Sequence, residues 1–176
     1  MRSGVQMPDF NLIGVNGEKS SIESLGEYKA LAVIFGCNHC PYVKAYIGRI
    51  ITIQEKYREK GFTVVMINSN NEETHPDDSF DNMKKNAEEN GFNFRYLRDE
   101  TAEVARAYEA KYTPEVFLLD SERKLRYKGR VDDCWHSVKG VKRHDLEKAI
   151  EELLDGREIG VKSTTPVGCT IKWPDS

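Results

Sequence analysis

The sequence predicts an α/β fold with a sheet whose central strands are buried on both faces, and three observations carry that prediction. Ala30-Leu31-Ala32-Val33-Ile34-Phe35 and Phe62-Thr63-Val64-Val65-Met66-Ile67 are short, almost continuously apolar runs, the pattern of strands with no solvent-facing side. Between them Val43, Ile47, Ile50 and Tyr57 recur at helical spacing, which gives a helix one apolar face. Strand, helix and strand in that order form a βαβ unit with a right-handed crossover.

The other elements follow along the chain. Lys56, Arg58 and Lys60 complement the negative end of the first helix dipole, and Gly61 is its expected stop. The polar stretch from Ser69 to Asp78 lacks periodicity and reads as an exposed loop, closed by Asp78 or Ser79 as a helix cap. A helix over about 80–90 ends at Gly91, and Phe94-Arg95-Tyr96-Leu97 reads as a short strand. Residues 99–101 cap a helix carrying Val104, Ala105 and Tyr108. Val116-Phe117-Leu118-Leu119, the polar turn 120–123 and Leu125-Arg126-Tyr127 form a hairpin. A final amphipathic helix over about 143–154 turns Leu146, Ile150, Leu153 and Leu154 inward. The tail beyond Gly156 loses the pattern but carries Cys169, Ile171 and Trp173, apolar groups that favour docking. A single domain over 1–176, with a tail from about 157 docked on it, is the expected organisation.

Composition narrows the function. The 176 residues are 39% hydrophobic and 31% charged with a formal net charge of -3, which argues against nucleic acid as a partner. No apolar run approaches the ~20 residues of a membrane span. The first nine residues contain Arg2 but no apolar core behind it, so no secretory signal is read and a cytoplasmic location is expected. Neither a P-loop nor a G-x-G-x-x-G motif occurs, so no nucleotide cofactor is implied. The four cysteines are too few to frame a chain able to bury a real core, and chemistry is their expected use.

Cys37-Asn38-His39-Cys40-Pro41 directly follows the first buried strand and opens the first long helix. In that context C-x-x-C reads as a dithiol redox centre. A cysteine at a helix N-terminus meets free N–H groups and a dipole that favour the thiolate, and this places the reactive sulfur on Cys37. Cys40, one turn on, can attack a mixed disulfide; His39 adds positive charge nearby, and Pro41 sits where a missing N–H costs little. A zinc site is the alternative from another class. It would join Cys37 and Cys40 to Cys134, Cys169 or His136 through the fold, since no second C-x-x-C or H-x-x-x-H is present. Haem attachment fails because position 41 is Pro. No metal is expected.

Phe35-Gly36-Cys37-Asn38-His39-Cys40-Pro41-Tyr42-Val43, together with Tyr112-Thr113-Pro114-Glu115-Val116-Phe117, resembles the thioredoxin superfamily. The resemblance implies a three-layer sandwich with a central mixed sheet flanked by helices, a cis Thr113–Pro114 bond, and a loop beside the two sulfurs that aligns an extended substrate. Pro114 then positions the partner and Thr113 supplies the backbone contact. With Gly129-Arg130-Val131-Asp132-Asp133 and the tail Pro166-Val167-Gly168-Cys169-Thr170-Ile171-Lys172-Trp173, the chain is similar to the peroxiredoxin-like branch, often labelled redoxin or thiol-specific-antioxidant-like. Two positions depart from the relatives. Leu31 stands where thioredoxin has a buried aspartate, and Val33 and Cys37 replace the Pro and Thr that precede a peroxidatic cysteine at the position of Cys40. The activity implied is thiol–disulfide exchange with a protein or low-molecular-weight thiol, with thiol peroxidase as the alternative.

Cys134 and Cys169 read first as free thiols packed as small hydrophobes. Two sharper readings are a second redox pair, Cys134–Cys169, and a tail cysteine that resolves an oxidised active site. Arg130 and Asp132 read as salt-bridge formers, His75, His136 and His144 as solvated, and Tyr42 and Trp173 as core residues or borders of the site.

Overall fold

Alternate side chains of the first apolar run feed two separate cores, as a period of two requires. The structure, a computed structural model, describes residues 2–174, and all six residues of the strand Ala30–Phe35 are buried. Ala30, Ala32 and Ile34 face one core, and Leu31, Val33 and Phe35 the other. In chain order this strand is β3. It follows β1 (Leu12–Gly14) and β2 (Lys19–Ser20) and precedes α1 (Pro41–Tyr57), β4 (Phe62–Asn68), α2 (Phe80–Glu89) and β5 (Arg95–Arg98). Then come α3 (Glu103–Tyr108), β6 (Tyr112–Thr113), β7 (Glu115–Asp120), β8 (Leu125–Gly129), α4 (Asp145–Leu154) and β9 (Cys169–Thr170).

The main sheet runs β2-β1-β5-β4-β3-β7-β8, with β3–β4 and β4–β5 parallel and the other neighbours antiparallel. It is therefore mixed. On one face α1 packs through Val43, Tyr46, Ile50 and Tyr57, α4 through Leu146 and Ile150, and α2 through Met83. On the other lie α3, through Ala105 and Tyr108, and the N-terminal Met7 and Phe10. Helices flank the sheet on both sides, so the architecture is the three-layer α/β sandwich.

The long elements stand where their patterns put them, and three differences have physical causes. The helix α1 begins at Pro41, later than the start of the C-x-x-C, because a proline at the first helical position makes Cys40 the N-cap. The hairpin, the caps and Gly61, whose φ of 95° serves a left-handed helix stop, match local chemistry. The stretch 69–78, expected to be exposed, is buried at Ser69, Asn70, Asn71 and Asp78. Its polar groups satisfy one another and the backbone: Ser69 Oγ donates to Asp99 Oδ2 at 2.7 Å, and Asn70 Nδ2 to Asp78 Oδ2 at 3.0 Å. A polar stretch can be interior when it carries its own partners.

Strands of two or three residues were invisible to periodicity, and one such pair positions the tail. Strand β9 pairs antiparallel with β6. Ile171 N–H donates to Lys111 O at 2.9 Å, and its side chain is buried in the second core. Lys172 N–H donates to Asn70 Oδ1 at 2.8 Å, and Lys172 O accepts from Asn71 N–H at 2.7 Å. Burying the Ile171 side chain alone contributes about 1.5–3 kcal/mol to this docking. Among the described residues no helix is long and apolar enough to cross a membrane.

Candidate active site

Strand β3 ends at Phe35, and the bend 36–39 carries the chain into α1. The residue facing the open amide end of the helix is Cys40, in extended backbone conformation with φ −65° and ψ 123°. Cys37 lies three residues earlier, ahead of the helix start. Both side chains are buried, and both are free thiols. Cys37 Sγ lies 3.7 Å from Thr113 Oγ1, and Cys40 Sγ lies 3.4 Å from Thr113 O.

The two thiols are shifted in opposite directions. A hydrogen bond from Cys37 is the largest influence on Cys40; it outweighs burial, and with contacts from Cys169 and the Val43 N–H (short of a formal cap bond) it pulls Cys40 down to about 4. Cys37 is pushed up in turn by that shared hydrogen bond, by burial and by the negative charge of Asp78. The charge of the reduced centre therefore resides on Cys40. Because its pKa is lowered, the thiolate form prevails above that value and is lost below it. The ultraviolet absorbance of the thiolate is expected to persist from neutral pH down to about 4. In Cys37→Ala, which removes the main stabilising contact, the midpoint is expected to move upward.

Asp78 organises the two residues between the cysteines. It is fully buried. Its Oδ1 accepts from Asn38 N–H at 2.7 Å and Asn68 Nδ2 at 3.3 Å, and its Oδ2 from Asn70 Nδ2 at 3.0 Å. His39 Nδ1 lies 2.6 Å from the same Oδ2, and the His75 ring stacks on His39 with centroids 5.5 Å apart. His39 is thus tied to a carboxylate, and His75, expected to be solvated, is its neighbour. Asn38 is clamped further: its Oδ1 accepts from Tyr96 OH at 2.7 Å and from Asn86 Nδ2 at 3.2 Å. Donor atoms of Cys37, His39 and Asp78 lie within 4.8 Å of one another, a different set from the Cys37–Cys40 zinc alternative. Cys37, Asn38 and His39 border an open cleft of about 600 Å³, shared with Lys85 and Asn86 of α2.

The Thr113–Pro114 bond is cis. Just after it, the buried Glu115 accepts from Lys111 N–H at 2.8 Å and Tyr112 N–H at 3.2 Å, holding the turn that presents Thr113. On its other side Thr113 is the register partner of Cys169. Gly168 passes so close that a Cβ there would sit 2.2 Å from Thr113 O. Burial, followed by the neighbouring Cys40, raises the Cys169 thiol to about 11.

The fold thus brings together Cys37, His39, Cys40, Thr113, Pro114 and Cys169. Cys134 has other neighbours: its sulfur lies 3.8 Å from His136 Nε2, and its carbonyl accepts from Arg49 at 2.8 Å. Strand β9 sets Cys169 beside Thr113, whereas Cys134 lies beside His136. Arg130 and Asp132 form ion pairs with Asp145 at 2.7 Å and Arg49 at 2.9 Å. Tyr42 packs on Trp135, with ring centroids 4.5 Å apart, and Trp173 lies beside Arg106. Asp78, Asn70 and Glu115 are site-organising residues that sequence reasoning missed. Asp78 sits beside the chemically identical Asp77, and nothing local marks which one turns inward.

A mixed sheet between two helical layers, with two cysteines at a strand–helix junction facing a cis-proline turn, places the protein in the thioredoxin superfamily, on its peroxiredoxin-like side. The Redoxin family matches residues 2–150, and the chain belongs to that family. Among solved structures it is similar to an uncharacterized conserved protein from Geobacillus kaustophilus, at 40% identity over 99% of this chain and 94% of that one, with a TM-score of 0.94. A hypothetical protein from Sinorhizobium meliloti 1021 is similar at 32% identity over 100% and 97%, also with a TM-score of 0.94. The fold alone is shared with Peroxidoxin BcpB from Mycobacterium tuberculosis, at 17% identity over 88% and 95% and a TM-score of 0.64. No curated protein matches the sequence.

Proposed function

We propose that the protein is a thiol–disulfide oxidoreductase that exchanges disulfides with a protein or low-molecular-weight thiol partner through Cys37 and Cys40. The observation that carries this reading is the pair of buried sulfurs set against Thr113. Both sulfurs are buried, and of the two Cys37 lies beside the open cleft, which supports it as the sulfur that meets a partner. Passing its proton to Cys40 makes Cys37 the thiolate, which attacks the partner disulfide and expels one partner sulfur. That leaving thiolate takes the proton from Cys40. Cys40 then attacks the Cys37 sulfur, closes the Cys37–Cys40 disulfide and releases the second partner thiolate. Two electrons pass from the dithiol to the partner, and the reverse sequence oxidises a partner dithiol. His39, held by Asp78, tunes the couple; Thr113 and Pro114 position the partner.

Differential alkylation with peptide mapping across a glutathione titration tests this. A Cys37–Cys40 linked peptide is expected to form as one two-electron couple, and its absence at every glutathione ratio would overturn the reading. A second reading, thiol peroxidase, is favoured by one observation: the lowered Cys40 thiolate at a helix start. It predicts peroxide consumption with a dithiol supplied, abolished in Cys40→Ser.

A further inference from the structure

Strand β9 brings a third thiol to the dithiol centre. Cys169 is the register partner of Thr113, the residue that both active-site sulfurs approach. Its side chain packs on the same core as Cys37 and Cys40. The tail is held from both sides of this cysteine. Gly168 fits against Thr113 O only because it lacks a Cβ, and Ile171 and Lys172 anchor it to Lys111, Asn70 and Asn71. The exchange cycle proposed above does not use the Cys169 sulfur.

The geometry points to Cys169 as an internal exchange partner: its thiolate attacks the Cys40 sulfur of the Cys37–Cys40 disulfide, forms a Cys40–Cys169 disulfide and releases Cys37 as a thiolate. One S–S bond forms as one breaks, and two cysteines stay oxidised throughout. The proton that leaves Cys169 is matched by the one Cys37 can take up, so no outside oxidant enters this step. The inference rests on the dithiol reading and adds a third sulfur to it.

The surroundings also favour the step after oxidation. In the reduced centre, burial and then the neighbouring Cys40 hold Cys169 up at about 11, so it stays protonated. Once Cys40 enters a disulfide its charge is gone, and Lys172, which favours the Cys169 thiolate, remains. Oxidation of the dithiol thus removes the influence of Cys40 that keeps Cys169 protonated, while burial and Lys172 remain opposed. The product leaves Cys37 reduced at the cleft while β9, paired with β6 next to Pro114, is covalently fastened to Cys40.

The full-length protein, oxidised in glutathione buffer, acid-quenched, alkylated and mapped by mass spectrometry, provides the test. Wild type is expected to yield both Cys37–Cys40 and Cys40–Cys169 linked peptides, and Cys37→Ser to yield Cys40–Cys169. Gly168→Val keeps every thiol but drives a side chain into Thr113 O. It is expected to lower the Cys40–Cys169 yield at least about tenfold while Cys37–Cys40 persists, because undocking removes the high effective concentration of Cys169. The inference is overturned if Cys169 stays fully alkylatable in both wild type and Cys37→Ser while Cys40 collects glutathione instead. Failure of Cys169→Ser to form Cys37–Cys40 would overturn the dithiol reading, and this step with it.

Discussion

Replacing Cys37 by serine is expected to abolish disulfide exchange, with turnover falling by roughly 10³-fold or more, as when a nucleophile is removed. Serine preserves the volume and can still donate to Cys40, so the fold and the Cys40 thiolate are retained. What disappears is the sulfur that borders the cleft. A hydroxyl there is neither acidic enough to ionise nor able to form the mixed disulfide. Cys40→Ser is expected to fail differently. Cys37 can still attack once ionised, but nothing one turn away resolves the product, so a mixed disulfide accumulates and is read directly as added mass. Turnover of a disulfide peptide with a dithiol reductant, together with intact mass, separates the two defects. Full activity in either variant would overturn the assignment of the pair.

The contrast between the two cysteines also shows what the sequence made legible. The strand before the motif and the helix after it were plain, since the six residues of β3 and the face of α1 carry unambiguous periods. The C-x-x-C and Thr113-Pro114 were visible as motifs, and they meet in space because β3 and β7 are sheet neighbours, with Phe35 opposite Glu115. Where α1 begins relative to the motif was less legible. Pro41 moves the first helical position past Cys40, and the proline itself was the available clue. The role of the tail could be suspected from Ile171 and Cys169 but not placed, because a two-residue strand has no period and its register with β6 is a long-range fact. Asp78 was hidden for a related reason. Its partners Asn38, His39, Asn68 and Asn70 come from separate segments, and a polar stretch looks solvated until its partners are known.

That buried carboxylate gives the second large effect. Asp78→Ala is expected to destabilise the protein by about 3 kcal/mol, within the range for breaking a buried charged pair or stranding buried donors. Asn38 N–H, Asn68 Nδ2 and Asn70 Nδ2 all donate to Asp78, and His39 Nδ1 lies 2.6 Å from it; the alanine leaves these groups facing a void they cannot fill. For a chain of this size that cost corresponds to a fall in Tm of roughly 6–12 °C, measured by thermal denaturation. Asp78→Asn separates the two roles of the residue. It keeps the volume and one acceptor oxygen, so its loss of Tm is expected to be the smaller, yet it removes the negative charge that raises Cys37. The sign is therefore fixed: in Asp78→Asn the Cys37 thiol titrates at lower pH than in wild type, and its alkylation rate at neutral pH rises. A purely structural carboxylate would lower Tm in both variants and leave the thiol titration of the asparagine variant unmoved. If the titration does shift, Asp78 keeps the proton on Cys37 and the charge on Cys40, the distribution from which the exchange cycle starts.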